Sequence, residues 1–376
     1  MPRLLTYSIA LLLSFQTAFA QLPERILPPR PLSECPDTVS IAFMGDVMMH
    51  QGQIENALQG DGKYSFKSYF REISGIVEGA DLAVANMEFT LAGRPYTGYP
   101  CFSAPDEYAA WAAGSGIDLF LTANNHILDR GKSGIERTLM IYDEMGRSSH
   151  VRYTGCALDH VSDSLKNPLV LAVKGVRIAF VNFTYGTNQD IASEYPVVHR
   201  SDTSWIGGAI RRAKAAGVDF VIALPHWGNE YVLSHSESQH RLAVWMAEQG
   251  CDAIIGAHPH VVQDMETITV EDEAGSRDVQ VAYSLGNIIS NMSAPNTRIG
   301  MIVTVRIVTD KDGRRSMLPW QLTMTWCTRP GTLTESYCTI PVKDYLDRRD
   351  LWIAPYDHDN MAENYERVKN ITKIKD

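Results

Sequence analysis

Short, nearly unbroken apolar runs recur along the chain at residues 40–44, 81–85, 118–122, 220–224 and 253–256, and each ends abruptly at polar or glycine residues. Runs this short with no polar alternation predict strands buried on both faces, as in a sheet covered by helices. Between them, at 106–113, 132–145, 204–216 and 237–249, apolar residues return every three or four positions, which predicts amphipathic helices. Gly114, Gly146, Gly217 and Gly250 stand where those helices would close, because glycine accepts the positive φ of a helix end.

Two further stretches read differently. Residues 169–173 and 176–183 flank Lys174-Gly175, and residues 265–270 and 279–284 flank a polar turn, so both predict hairpins. A chain that mixes crossover-linked strands with hairpins belongs to the α/β class, with a mixed sheet or two packed sheets rather than one doubly wound sheet. The N-terminus has another character. An apolar run from Leu4 to Phe15 is followed by Ala18-Phe19-Ala20, which predicts a cleavable signal peptide over 1–20 and an exported protein, periplasmic or secreted. Residues 21–37 carry five prolines and read as an extended leader. The domain is expected over 38–326. Beyond it the periodicity weakens, which suggests a peripheral extension over 327–376 with a charged helix at 360–369. No segment after the signal is long and apolar enough to span a membrane.

Composition narrows the function. A net charge of −10 with no clustered Lys and Arg argues against nucleic acid as a partner. Six cysteines (Cys35, Cys101, Cys156, Cys251, Cys327 and Cys338) in an exported chain permit disulfides, and Cys327 and Cys338, around the turn at Arg329-Pro330-Gly331, are the best-placed local pair.

The chemistry lies at the strand ends. The run at 40–44 leads into Gly45-Asp46, that at 81–85 into Asn86-Met87-Glu88, and that at 118–122 into Asn124-Asn125-His126, with Asp129 one turn on. The run at 220–224 leads to His226 and Glu230, and that at 253–256 to His258-Pro259-His260. Ligands of open α/β sheets sit beyond the carboxyl ends of strands, so these groups can converge. Singly, each has a plainer explanation: Asp46 as a helix cap, His226 as a buried hydrogen-bonded histidine. Together, two carboxylates and three imidazoles in one place call for a cation. Oxygen and imidazole donors suit Mn, Fe or Zn, and the absence of a cysteine cluster argues against structural zinc.

The ordered motifs Gly45-Asp46-Val47-Met48, Asn86-Met87-Glu88, Asn124-Asn125-His126, His226-Trp227-Gly228-Asn229-Glu230, Gly256-Ala257-His258-Pro259-His260 and Tyr283-Ser284-Leu285-Gly286-Asn287 resemble those of the CapA family of bacterial capsule (poly-γ-glutamate) synthesis proteins, a branch of the calcineurin-like metallophosphoesterases. The resemblance implies a four-layer α/β/β/α sandwich of two mixed sheets and one or two divalent metal ions. It implies Asp46 and His260 at a first metal, Asn125, His226 and His258 at a second, and Glu88 between them. His126 would serve as general acid, oriented by Asp129, with Asn86 and Glu230 in support. One departure stands out: the general phosphoesterase pattern has a histidine where this chain has Met48, and His50 is two residues further on. The resemblance therefore implies a metal-dependent hydrolase acting on an anionic polymer or a phosphorylated substrate in capsule synthesis or remodelling. The alternatives are a non-catalytic metal-binding member of a membrane-bound capsule synthesis and export complex, or a generic phosphomonoesterase. An acidic protein repels a polyanion at long range, so such a substrate must be held by local cations. Residues 283–287 carry no assigned role at this level.

Overall fold

The computed structural model describes residues 38–272 and 275–376; the expected signal peptide, the Pro-rich leader and Cys35 lie outside the described residues. Two mixed sheets pack face to face. The first runs in the order Cys338–Pro341, Gln321–Thr328, Ile299–Thr309, Thr38–Val47, Leu82–Met87, Leu119–Leu121, Arg152–Thr154, with Asn287–Ile289 and Arg315–Met317 pairing beside this path. The second runs in the order Met265–Asp272, Gly275–Ala282, Ala253–Ile255, Phe220–His226, Val176–Thr184, Leu169–Val173. Its central strands are parallel, and the two expected hairpins form its antiparallel edges.

Strand alternation explains why the apolar runs are unbroken. Val39, Ile41 and Phe43 face the second sheet, where they meet Ile178, Phe180, Ile222 and Leu224 in the inter-sheet core. Ala42 and Met44 face outward and are covered by the helices Asp106–Gly114 and Gly131–Ser148. On the far side Ala179, Val181, Val221 and Ala223 are covered by the helices Thr203–Ala215 and Glu237–Gln249. The result is the α/β/β/α sandwich. The helix Glu237–Gln249 shows how local sequence sets the boundaries. Ser236 Oγ accepts the amide of Gln239, Gln239 Oε1 accepts the amide of Ser236, and Gly250 closes the far end at φ 104°. Gln239, Ala243, Met246 and Ala247, three and four residues apart, make its buried face.

Several sequence expectations change. Gly114 and Gly146 lie within their helices, which end at Gly114 and Ser148; the positive φ after the first falls instead on Gly116. The residues after 326 continue the first sheet: Cys338–Pro341 is its edge strand, and the helix Pro355–Thr372 inserts Met361, Tyr365 and Val368 into the inter-sheet core. Cys327 and Cys338 are both free. Cys327 lies opposite Thr339 and Cys338 opposite Thr328, so the two are one residue out of register and point to opposite faces of the sheet. No helix among the described residues is long and apolar enough to cross a membrane.

Candidate metal centre

The strand Thr38–Val47 carries Asp46 past an irregularity. Up to Phe43 odd residues face the inter-sheet core, yet Val47 packs in the outer core, so the phase reverses at the register shift between Met44 and Asp46. A bulge of this kind re-aims a side chain. Gly45 makes it possible: a Cβ there would lie 1.8 Å from Gly286 O, and Asp46 N donates to that same carbonyl at 2.9 Å. Asp46 turns toward the strand end, where Asn86 Nδ2 donates to its Oδ1 at 2.7 Å and to Glu88 Oε2 at 3.1 Å. Asn86 therefore braces the two carboxylates against each other, with its own Oδ1 accepting from Asn124 Nδ2 at 3.3 Å.

The second sheet supplies the imidazoles. His226 ends the strand Phe220–His226, its Nε2 2.9 Å from Asn125 Oδ1. His258 and His260 follow Ala253–Ile255 on either side of Pro259, at φ 101° and 57°. Two non-glycine residues in the left-handed region so close together mark a turn held by its surroundings, and such strain gathers at functional sites. The holding contacts include Tyr231 N to Pro259 O at 2.9 Å and Asn287 Nδ2 to His260 O at 3.3 Å. His260 Nδ1 lies 3.2 Å from Asp46 Oδ2 and 3.1 Å from Asn287 Oδ1.

Two groups of ligand atoms result: Asp46, Glu88 and His260, and Glu88, His226 and His258, each with its atoms within 4.8 Å of one another. They share Glu88. Its Oε1 lies 3.8 Å from His226 Nε2 and 3.7 Å from His260 Nε2, and it is buried without a hydrogen-bond partner. His258 Nδ1 is also buried and unpartnered. Burial and the neighbouring Asp46 push the Glu88 carboxyl well above the usual range. Burial holds His226 well below the ordinary imidazole range and takes His258 down to about 3. Buried imidazoles around a crowded carboxylate pair, with His258 Nδ1 unpartnered, are a donor set that fits a divalent cation, and the orphaned Glu88 Oε1 is where a cation removes an unmet cost.

Of the eight residues expected at the site, Asp46, Glu88, Asn125, His226, His258 and His260 converge at this edge. His126 and Asp129 stand beside them: Asp129 Oδ2 accepts from Phe102 N at 2.8 Å and holds His126 Nδ1 at 2.7 Å, while the Phe102 ring meets the imidazole edge-on at 4.6 Å. Glu230 is exposed, yet its carboxylate lies within the same reach of His258 and His260. Met48 packs in the outer core, away from the ligands. His50 belongs to none of the ligand groups among the described residues; Gln53 and the amide of Asn291 hold its Nδ1, and burial lowers it to about 4.

Several participants escape sequence reasoning. Residues 283–287 acquire a role: Gly286, at φ 64°, receives Gly45, and Asn287 fixes His260. Asn182, inside an otherwise apolar strand, accepts the amides of Thr122 and Ala123 at 3.2 and 2.9 Å and donates to Leu224 O at 2.7 Å, tying the two sheets together just before Asn125. A polar residue interrupting a buried run is the signal that could have found it. Tyr185, half exposed, lays its ring 4.6 Å from that of His258, and Tyr231 stands 6.4 Å from His260. Both form the rim.

Fold and site together define an α/β/β/α protein with a buried carboxylate–imidazole centre at the seam of its two sheets. The family described as "Bacterial capsule synthesis protein PGA_cap" matches residues 40–292, and the chain belongs to that family. Among curated relatives, "Capsule biosynthesis protein CapA" of Bacillus anthracis is 26% identical over 280 residues, covering 71% of this chain and 63% of that protein. "PGA biosynthesis protein CapA" of Bacillus subtilis (strain 168) is 26% identical over 294 residues, covering 75% and 71%. Among solved structures, the calcineurin-like phosphoesterase YfkN from Bacillus subtilis aligns with a TM-score of 0.43 at 13% identity over 88% of this chain and 99% of that one.

Proposed function

We propose that the chain is an exported divalent-metal-dependent hydrolase that acts in the synthesis or remodelling of a capsule polymer of the poly-γ-glutamate kind. The observation that carries this reading is the buried, unpartnered Glu88 Oε1 between His226 and His260, which makes Glu88 common to both ligand sets. Asp46, Glu88 and His260 form one ligand set, and Glu88, Asn125, His226 and His258 the other. Divalent ions held there would supply Lewis-acid activation of water and positive charge against an anionic scissile group. The chain's own contribution is positional and acid–base. Asp129 fixes the His126 ring through Nδ1, so that the imidazolium form, protonated on both nitrogens, gives its Nε2 proton to the leaving group and is left neutral. Tyr185 and Tyr231 at the rim offer flat faces to the substrate, and the ions offset the repulsion between a polyanion and a chain of net charge −10.

A second reading has one observation in its favour. With Met48 turned into the core, the Asp46 side of the centre has His260 as its single imidazole, one short of the general phosphoesterase pattern, which suits a non-catalytic metal-binding member of a capsule synthesis complex at the membrane. The two readings separate in one experiment. The mature chain is purified, its metals are measured by elemental analysis, and aryl phosphates and γ-glutamyl polymers are assayed with Mn, Zn or Fe. Turnover that falls roughly 100-fold or more in His126→Ala, with metal content unchanged, is the expected result for a general acid. Bound metal without turnover of either substrate class would support the second reading, and a chain that binds no metal would overturn both.

A further inference from the structure

A second set of metal-type donors stands apart from the centre and shares no residue with it. Three segments bring it together: the turn into the helix Glu237–Gln249 with its first turn, the start of the strand Met265–Asp272, and Tyr283 just past the strand Gly275–Ala282. His235, His240 and Glu266 each place a ligand atom within 4.8 Å of the others. All three are half-buried, which leaves the cluster reachable from solvent.

The way the first ring is held points to a metal. Asp264 accepts the backbone amide of His235 at 2.8 Å through Oδ1 and faces its ring Nδ1 at 2.9 Å through Oδ2. A carboxylate on Nδ1 fixes the tautomer that leaves the Nε2 lone pair free, and it raises the basicity of that nitrogen. This carboxylate–histidine arrangement recurs behind metal ligands. Tyr283 stacks on the same ring at 4.1 Å and sets its plane. The second imidazole, His240, has Nδ1 2.9 Å from Glu266 Oε1 and 3.3 Å from Tyr283 Oη, and its ring centre lies 5.8 Å from that of His235. Among the described residues no hydrogen bond occupies Nε2 of either ring. Neighbouring donors on a tetrahedral zinc ion stand roughly 3.3 Å apart, given Zn–N and Zn–O bonds of about 2 Å, so the side chains draw together on binding and Glu266 exchanges its bonds from His240 and the Tyr283 hydroxyl for the ion.

We propose that His235, His240 and Glu266, with Asp264 orienting His235, form an outer site for a single divalent cation of the zinc type, separate from the Glu88 centre. Two imidazoles and a carboxylate, with water in the fourth position, make a set that borderline-soft ions favour over Mg or Ca. Its place in the fold gives it a purpose. Asp264 and Glu266 follow the His258–His260 turn by a few residues, and Tyr283 O accepts the indole N–H of Trp227, the neighbour of His226, at 2.9 Å. A cation here cross-links the helix start to the strand that follows the central histidines, beside Tyr283.

The test compares zinc stoichiometry in the full mature chain, stripped with a chelator, reloaded with zinc alone and passed through a desalting column. His240→Ala and, in parallel, Glu266→Gln are each expected to retain one equivalent fewer than the unaltered protein. The difference between proteins is the readout, so it does not depend on how many ions the central cluster holds. Cobalt in place of zinc gives a second measure: the tetrahedral absorption band of the outer site is lost in His240→Ala and kept in His126→Ala. Equal zinc content in all the folded proteins, judged by circular dichroism, with an unchanged cobalt spectrum, would overturn the proposal.

Discussion

Glu88 is the most perturbed carboxylate of the proposed metal centre. Burial and the nearby Asp46 raise its carboxyl well above the usual range, so in the metal-free protein it retains a proton at pH values where an exposed glutamate has none. A cation must displace that proton. Metal uptake by the stripped protein should therefore release protons from this position, and the apparent metal affinity should weaken as pH falls. Titration calorimetry in buffers of different ionisation enthalpy measures the release. Glu88→Gln is expected to abolish that component, and a release equal to that of the unaltered protein would show the proton comes from elsewhere. At this scale the ligand types were legible in the sequence, since Asp46, Glu88, Asn125, His226, His258 and His260 all follow apolar runs. How each one is held was not. That Asn86 donates to both carboxylates, that His50 is held by Gln53 and Asn291, and that Asn287 fixes His260 are facts of side-chain direction, which residue order does not encode.

Among elements, the strand Thr38–Val47 is aimed by its irregularity at Gly45. An added Cβ would lie 1.8 Å from the Gly286 carbonyl, and backbone cannot step aside as a flexible side chain can. Gly45→Ala is expected to cost roughly 1–3 kcal/mol or more in stability, as overpacking does, and to weaken metal binding by moving Asp46. Urea denaturation and metal titration of the one variant measure both effects; a shift in neither would mean that the bulge relaxes freely. The buried runs and the long amphipathic helices were readable because burial on both faces leaves an unbroken apolar signature. The shorter helices Gln51–Ala57, Ser74–Gly79 and His160–Lys166 were not, since one or two turns carry too little periodicity to stand out. Cys327 and Cys338 show a different limit. Closeness in sequence across a turn suggested a bridge, but the hairpin register put the thiols on opposite faces.

Over the whole molecule, the C-terminal residues close the fold. Asp357, buried in the helix Pro355–Thr372, takes a bidentate pair from Arg298 at 2.5 and 2.7 Å, and that guanidinium also lies 4.0 Å over the Trp326 ring. Asp357→Ala leaves the Arg298 charge buried without its partner, a change worth about 3–5 kcal/mol. Thermal and urea unfolding should register it, and a midpoint matching that of the unaltered protein would show the pair to be dispensable. The weakening periodicity after residue 326 hid this role, because short turns and 3₁₀ segments separate its edge strand from its helix and its apolar residues are spread among polar ones. The same closure has a bearing on when the centre comes into being. The strand that bears Asp46 lies between Leu82–Met87, made early, and Ile299–Thr309, made late, while the imidazoles come from the sheet encoded between them. No growing chain holds the ligands together until nearly all of it has emerged. A protein of this layout that crosses a membrane unfolded carries no ion with it. On the proposed export of this chain, the ions present where folding finishes would be the ones that meet its donors first.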